Sequence, residues 1–133
     1  MILLESSYET RKETVSKMLV KMFDQGALGV IDETCSKDII VHNSKLSEEL
    51  KGIEAFKGFM KDFLWAFRDI HLHIDDVHAE GDTVDCHASF TATNKASFRG
   101  IPATHKTVST EPVFFFKFGS DGKVMEHWQE KIP

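Results

Sequence analysis

Cysteine is scarce in this sequence: only Cys35 and Cys86 occur among 133 residues. Neither belongs to a Cys-x-x-Cys pair or a Cys/His ligand spacing, so no zinc site, other metal site or redox pair is expected, only two buried thiols. Positive charge is also short. Lys and Arg total 16 against 21 Asp and Glu, for a net charge of -5. Phosphate backbones call for a basic stripe, and the chain has none, so no nucleic-acid partner is expected. No apolar window reaches the length of a membrane span, and Met1 to Leu4 precede Glu5 without a basic n-region or an apolar h-region. The expectation is no membrane partner and a cytoplasmic location. Repeats, linkers and low-complexity segments are absent, and with 41% hydrophobic residues the length fits one domain over residues 1–133.

Phenylalanine is plentiful, with 11 in the chain, and it organises the C-terminal thirty residues. A β-branched and aromatic run from Thr104 to Phe118 meets a Gly/Ser/Asp cluster at 119–123 and then Val124-Met125-Glu126-His127-Trp128. This pattern predicts a long hairpin. Alternation puts Phe114, Phe116 and Phe118 on one face and Val113 and Phe115 on the other, so the strand needs cover on both sides. Helices would supply one cover, and more sheet or a second copy of the chain the other. Pro112 cannot donate to a ladder and marks a bulge or an edge.

Upstream, Ser6-x-x-Glu9 has capping-box spacing, and Val15, Met18, Leu19, Met22 and Phe23 recur at helical intervals up to a closing Gly26. A short second helix is predicted over Ala27–Thr34 and a strand over Asp38–Asn43. Ile53, Phe56, Met60, Phe63, Leu64 and Phe67 trace a third helix, with Phe59 and Trp65 off its stripe. From Ile70 the period becomes two: Ile70, Leu72 and Ile74 alternate with His71, His73 and Asp75. After a turn at Glu80-Gly81-Asp82, Val84, Cys86, Ala88 and Phe90 share one face of the next strand. Helices first and an antiparallel meander afterwards predict an α+β layer fold. His71 and His73 share a strand face, but nothing completes a metal-ligand set, so with His78 they read as a solvated face.

Several segments together carry a family resemblance: Phe23-Asp-Gln-Gly-Ala-Leu28, Ile40-Val-His42-Asn43, Leu50-Lys-Gly-Ile-Glu-Ala-Phe-Lys57, Phe98-Arg-Gly-Ile-Pro-Ala-Thr104 and Asp121-Gly-Lys-Val-Met-Glu-His-Trp128. In this order and spacing the chain resembles the SnoaL-like polyketide cyclases, or predicted ester cyclases, of the NTF2-like superfamily. The resemblance implies a cone of curved antiparallel sheet wrapped around a pocket that the N-terminal helices cover, commonly as a homodimer packed through the outer sheet face. It also implies cofactor-independent acid/base chemistry, aldol cyclisation or isomerisation, on a small apolar carbonyl compound. The fold by itself does not carry activity across. The family's acid/base Asp falls at Phe114, its Arg-Trp pair at His87-Ala88 and its frequent loop His at Asn94.

Closing a ring by aldol chemistry takes a base for a carbon acid and a donor for the developing enolate. Phe114 supplies neither, which leaves His42 and Glu126 as the candidate catalytic residues, or else a protein that binds without chemistry. With Phe118 opposite Val124, Phe116 falls opposite Glu126 and Phe114 opposite Trp128, which places Glu126 and Trp128 on the pocket face. A slip of one residue places His127 there instead. Glu126 is then either a base among aromatics or a structural residue, and His42 either a neutral imidazole at the cavity opening or a satisfied, half-buried histidine. Phe63, Trp65, Phe114, Phe116 and Trp128 are the candidate substrate-binding residues, shared between core and pocket lining.

Overall fold

In the computed structural model, which describes residues 4–133 and side chains from Ser7 onward, the chain opens with helix α1, Leu4–Phe23. The helix starts upstream of the predicted cap, and the Ser6 side chain lies outside the described residues. The predicted stripe holds: Val15, Met18, Leu19, Met22 and Phe23 are all buried. Gly26 takes φ +63°, the left-handed conformation that turns the chain after α1. Helix α2, Gly29–Thr34, is shorter than predicted, and α3 spans Ile53–Ala66. Phe59 joins the buried stripe of α3, whereas Trp65 is 66% exposed, with the Arg68 guanidinium 4.8 Å from its ring centroid.

The strands are β1 (Cys35–Asn43), β2 (Leu50–Lys51), β3 (Phe67–Glu80), β4 (Thr83–Asn94), β5 (Thr107–Thr110), β6 (Val113–Phe118) and β7 (Val124–Glu130). They build one curved, unclosed sheet in the order β2-β1-β7-β6-β4-β3, with β5 also on β4. Pairing is antiparallel as predicted except between β1 and β7, which run parallel. The strand predicted from Thr104 to Phe118 divides at Glu111-Pro112. β5 pairs with residues 90–93 of β4 and β6 with residues 83–87. Proline has no N–H for the ladder, and its carbonyl accepts from the Ala88 amide at 3.1 Å.

The register of the β6–β7 hairpin corrects the expectation. Phe118 does pair with Val124, but the next pair is Lys117 with Glu126, so Met125 is an extra residue on β7. One inserted residue reverses the faces of every later position in the strand. Phe116 therefore faces His127, Phe114 faces Gln129, and Phe115 faces Trp128. His127 and Gln129 point inward, while Glu126 and Trp128 lie on the outer face.

Between the sheet and helices α1 and α3 the core is aromatic. Phe23 sits 5.7 Å from Phe63, 6.0 Å from Phe90 and 5.8 Å from Phe114, measured between ring centroids. Phe56, Phe63, Phe90, Phe114 and Phe116 are fully buried, and burying each such side chain stabilises the fold by roughly 1.5–3 kcal/mol. At the far end, Arg11 donates to the Gly81 carbonyl and lies over Phe118, fastening α1 to the β3–β4 turn.

Candidate functional site

Parallel pairing of β1 with β7 sets His42 opposite Trp128, and the two rings stack with centroids 5.0 Å apart. The His42 Nε2–H donates to Glu126 Oε2 at 2.6 Å, and its Nδ1 lies 3.7 Å from Glu49 Oε2. His42, Glu126 and Trp128, each a candidate from sequence, thus form one cluster. It lies on the outer face of the sheet, half-buried, with Ile39, Val41 and Asn43 of β1 turned to the other side.

The inward histidine is His127, which the expected register sets outside. It is fully buried, stacked on Phe116 at 4.3 Å with Phe114 at 6.1 Å, and its Nδ1–H donates to the Phe115 carbonyl at 3.0 Å. Its Nε2 is buried without a hydrogen-bond partner among the described residues. Burial holds its pKa down at about 4, only partly offset by the Phe115 hydrogen bond, so the ring is neutral at pH 7. The Met125 insertion that brings it inward is a packing event with no local sequence signal. Both thiols are likewise buried, which pushes Cys35 up to about 11 and Cys86 to about 12, far from the range of a reactive thiolate.

The cavity lies beyond these rings, where the sheet and α3 diverge. Its volume is about 570 Å³, and its walls include Leu46, Phe59, Phe67, Phe98, Val108 and Pro133. Two buried asparagines in its wall are held by protein partners. Asn43 donates to Gln129 Oε1 at 2.9 Å and accepts from the Lys45 amide at 2.9 Å. Asn94 donates to the carbonyls of Ala66 and Ala96 and accepts from the Thr104 amide at 2.7 Å. It ties the end of α3 to the loop of residues 95–106. The Thr110 hydroxyl, also in the wall, is buried and has no hydrogen-bond partner among the described residues.

None of the seven residues named from sequence as catalytic or substrate-binding lines this cavity. Phe63, Phe114 and Phe116 are core, and Trp65 points to solvent. Phe114 stands between Phe23 and His127. Sequence reasoning misses Phe59, Phe67, Phe98 and Thr110 as lining. The signal available was the Phe98-Arg99-Gly100-Ile101 segment, a turn flanked by apolar residues. Among the described residues no group of three His, Cys, Asp or Glu is placed to hold a metal ion, and no helix is long and apolar enough to cross a membrane.

With this geometry established, comparison with known proteins gives a consistent class. The family model of SnoaL-like polyketide cyclases matches residues 13–130, and the chain belongs to that family. AclR from Streptomyces galilaeus, a proposed hydroxylase, is 30% identical, with a TM-score of 0.75 over 92% of this chain and 88% of its own. IdmH from Streptomyces antibioticus, a proposed polyketide cyclase, is 21% identical, with a TM-score of 0.71 over 90% and 89%. An NTF2-like protein of Burkholderia pseudomallei shares the fold at 11% identity, with a TM-score of 0.77 over 92% and 90%. No curated protein matches the sequence.

Proposed function

We propose that this member of the cyclase family binds a small, largely apolar carbonyl compound in the mouth cavity and serves a cyclase-type role by holding it, without exchanging protons with it. One observation carries the reading. The described residues that line the cavity include Phe59, Phe67 and Phe98 but no Asp, Glu or His. A flexible chain confined among such walls is pre-folded, and orientation of this kind lowers a ring-closure barrier without a protein base, the proton of the carbon acid passing to solvent at the cavity mouth. What is forgone is the roughly hundredfold to ten-thousandfold of general acid–base assistance.

Titration calorimetry with 2-acetylnaphthalene, a planar aromatic ketone, tests the reading. Binding is expected in the wild type and should be lost in Val108→Trp, which fills the cavity from β5. Equal binding by both proteins would overturn it.

The His42–Glu126 contact favours a second reading. A carboxylate-oriented imidazole can act as a general base, here on a molecule held at the outer face of β1 and β7. Turnover that disappears in His42→Gln while cavity binding persists would select it.

Two further features belong to the proposal. The homodimer expected from the resemblance would cover Phe115 and Met125, which are 39% and 42% exposed, and sedimentation at micromolar concentration tests it. A reducing cytoplasm suits the two free, buried cysteines.

A further inference from the structure

Charge around the mouth cavity runs opposite to that of the chain. The net charge is -5, yet the charged side chains among the described lining residues are Lys45 and Arg99, and no Asp or Glu lines the cavity with them. Both are exposed, so they stand at the rim while Phe59 and Phe67 are buried. Lys45 has no ion-pair partner among the described residues. Arg99 reaches Asp62 only at 3.8 Å, between exposed side chains, and its guanidinium lies 5.5 Å from the Phe59 ring centroid.

Arg99 is also held there by the backbone. Phe98 and Ile101 exchange both amide-to-carbonyl hydrogen bonds, at 2.9 and 3.0 Å, around a two-residue turn. Its central residues take φ +48° at Arg99 and +86° at Gly100, the left-handed pair that tight hairpin turns require. A bulky L residue adopts that conformation at a cost, and such strain concentrates at functional positions. The turn sets Arg99 at the mouth beside Ile101, which is 64% exposed and also lines the cavity.

We propose that the cavity takes an organic anion: an aromatic body between Phe59, Phe67 and Phe98, and an acidic group at the rim against Lys45 and Arg99. This rests on the mouth cavity being the binding site and adds the charge of the ligand. A carboxylate, enolate or sulfonate at the rim gains from both cations while keeping part of its hydration, and the aromatic body gains from leaving water. A neutral ligand of the same shape gains only the second.

Two fluorescent probes with one skeleton separate these contributions: 8-anilinonaphthalene-1-sulfonate, an anion, and N-phenyl-1-naphthylamine, its neutral counterpart. Each is titrated at low salt into the wild type, into Lys45→Glu/Arg99→Asn and into Val108→Trp. Asn is chosen at 99 because it tolerates positive φ. The wild type should bind the sulfonate about tenfold more tightly than the amine, and the double variant should lose roughly that factor for the sulfonate alone. Added salt should erode the same preference. Lys45→Gln alone, at an exposed position, should cost the sulfonate about threefold and provides a reading should the double variant fail to fold.

Equal wild-type affinity for the two probes, or a sulfonate affinity unchanged by the charge substitutions, overturns the anion proposal. If the Val108→Trp variant still loses both probes in that case, the cavity reading stands without it. Failure of both probes to bind, or binding that survives Val108→Trp, removes the cavity reading and this proposal with it.

Discussion

His42 Nε2 lies 2.6 Å from Glu126 Oε2 although 84 residues separate them in sequence. Parallel pairing of β1 with β7 is what brings them together, with Ile40 opposite Glu126 and His42 opposite Trp128. The pair is about one-third exposed, at 32% and 28%, so solvent screens it. A double-mutant cycle with His42→Gln and Glu126→Gln, read by urea denaturation, should give a coupling of about 0.5–1 kcal/mol. If the pair is structural only, ligand affinity and any turnover will be unaltered in both single variants. A coupling near zero would mean that the contact contributes nothing to the folded state.

His127 makes stability depend on pH in a defined direction. Its pKa is near 4 in the folded chain and 6.5 in its ordinary state. Above pH 6.5 the ring is neutral in both states and has no effect. Between 6.5 and about 4 the unfolded chain takes up a proton that the folded chain does not, so stability falls as pH falls and the loss levels off below about 4. The full loss is about 3 kcal/mol. His127→Phe keeps a ring against Phe116 and should flatten this limb in thermal melts collected from about pH 7 to about pH 4. A limb of unchanged depth in that variant would assign the acid sensitivity to the carboxylates.

Phe114 should be the costliest single truncation. It is fully buried among Phe23, Cys86 and His127, and the rings around it are held by a sheet on one side and helices on the other. Phe114→Ala is expected to lower the unfolding free energy by about 3–5 kcal/mol, measured from the urea midpoint at constant slope. A loss below about 1 kcal/mol would mean that the neighbouring rings collapse into the space.

Asn94 is expected to control the rim. Its side chain spans α3, the strand end and the 95–106 loop through Ala66, Ala96 and Thr104. Asn94→Ala strands buried groups on both sides and should cost about 2–3 kcal/mol. Amide exchange at Lys95, Ala96 and Thr104 should accelerate while that of α1 is unchanged. Uniform acceleration across the chain would make Asn94 a global residue and not a local tie.

The helices are legible in the sequence because their stripes are long: Val15 to Phe23 and Phe56 to Phe63 each repeat the helical period more than once. Strand faces are legible wherever alternation is uninterrupted, as from Val84 to Phe90. Single-residue events are not. Met125 reverses the hairpin faces without changing composition, and the alternation within β1 does not declare its parallel partner. Asp69, at φ +55° inside β3, accompanies a shift in pairing between Arg68 and His71. For the site, residue chemistry points to His42, Glu126 and Trp128 and geometry gathers them. The cavity wall is hidden because Phe59, Phe98 and Thr110 look like any core or strand residue until the sheet curves away from α3.

The strand order has a consequence for how the chain is made. β7 is the last strand in sequence and sits between β1 and β6, in the interior of the sheet. During synthesis, β1 therefore waits for a neighbour that emerges some eighty residues later, with Val41 and His42 lacking their partners His127 and Trp128. The nascent chain can form its helices and the β3–β4 hairpin early, but its sheet remains in two pieces until residues 124–130 leave the ribosome. Assembly of this fold is then expected to be a late, concerted step, and a chain stalled within β6 would present open strand edges to its surroundings.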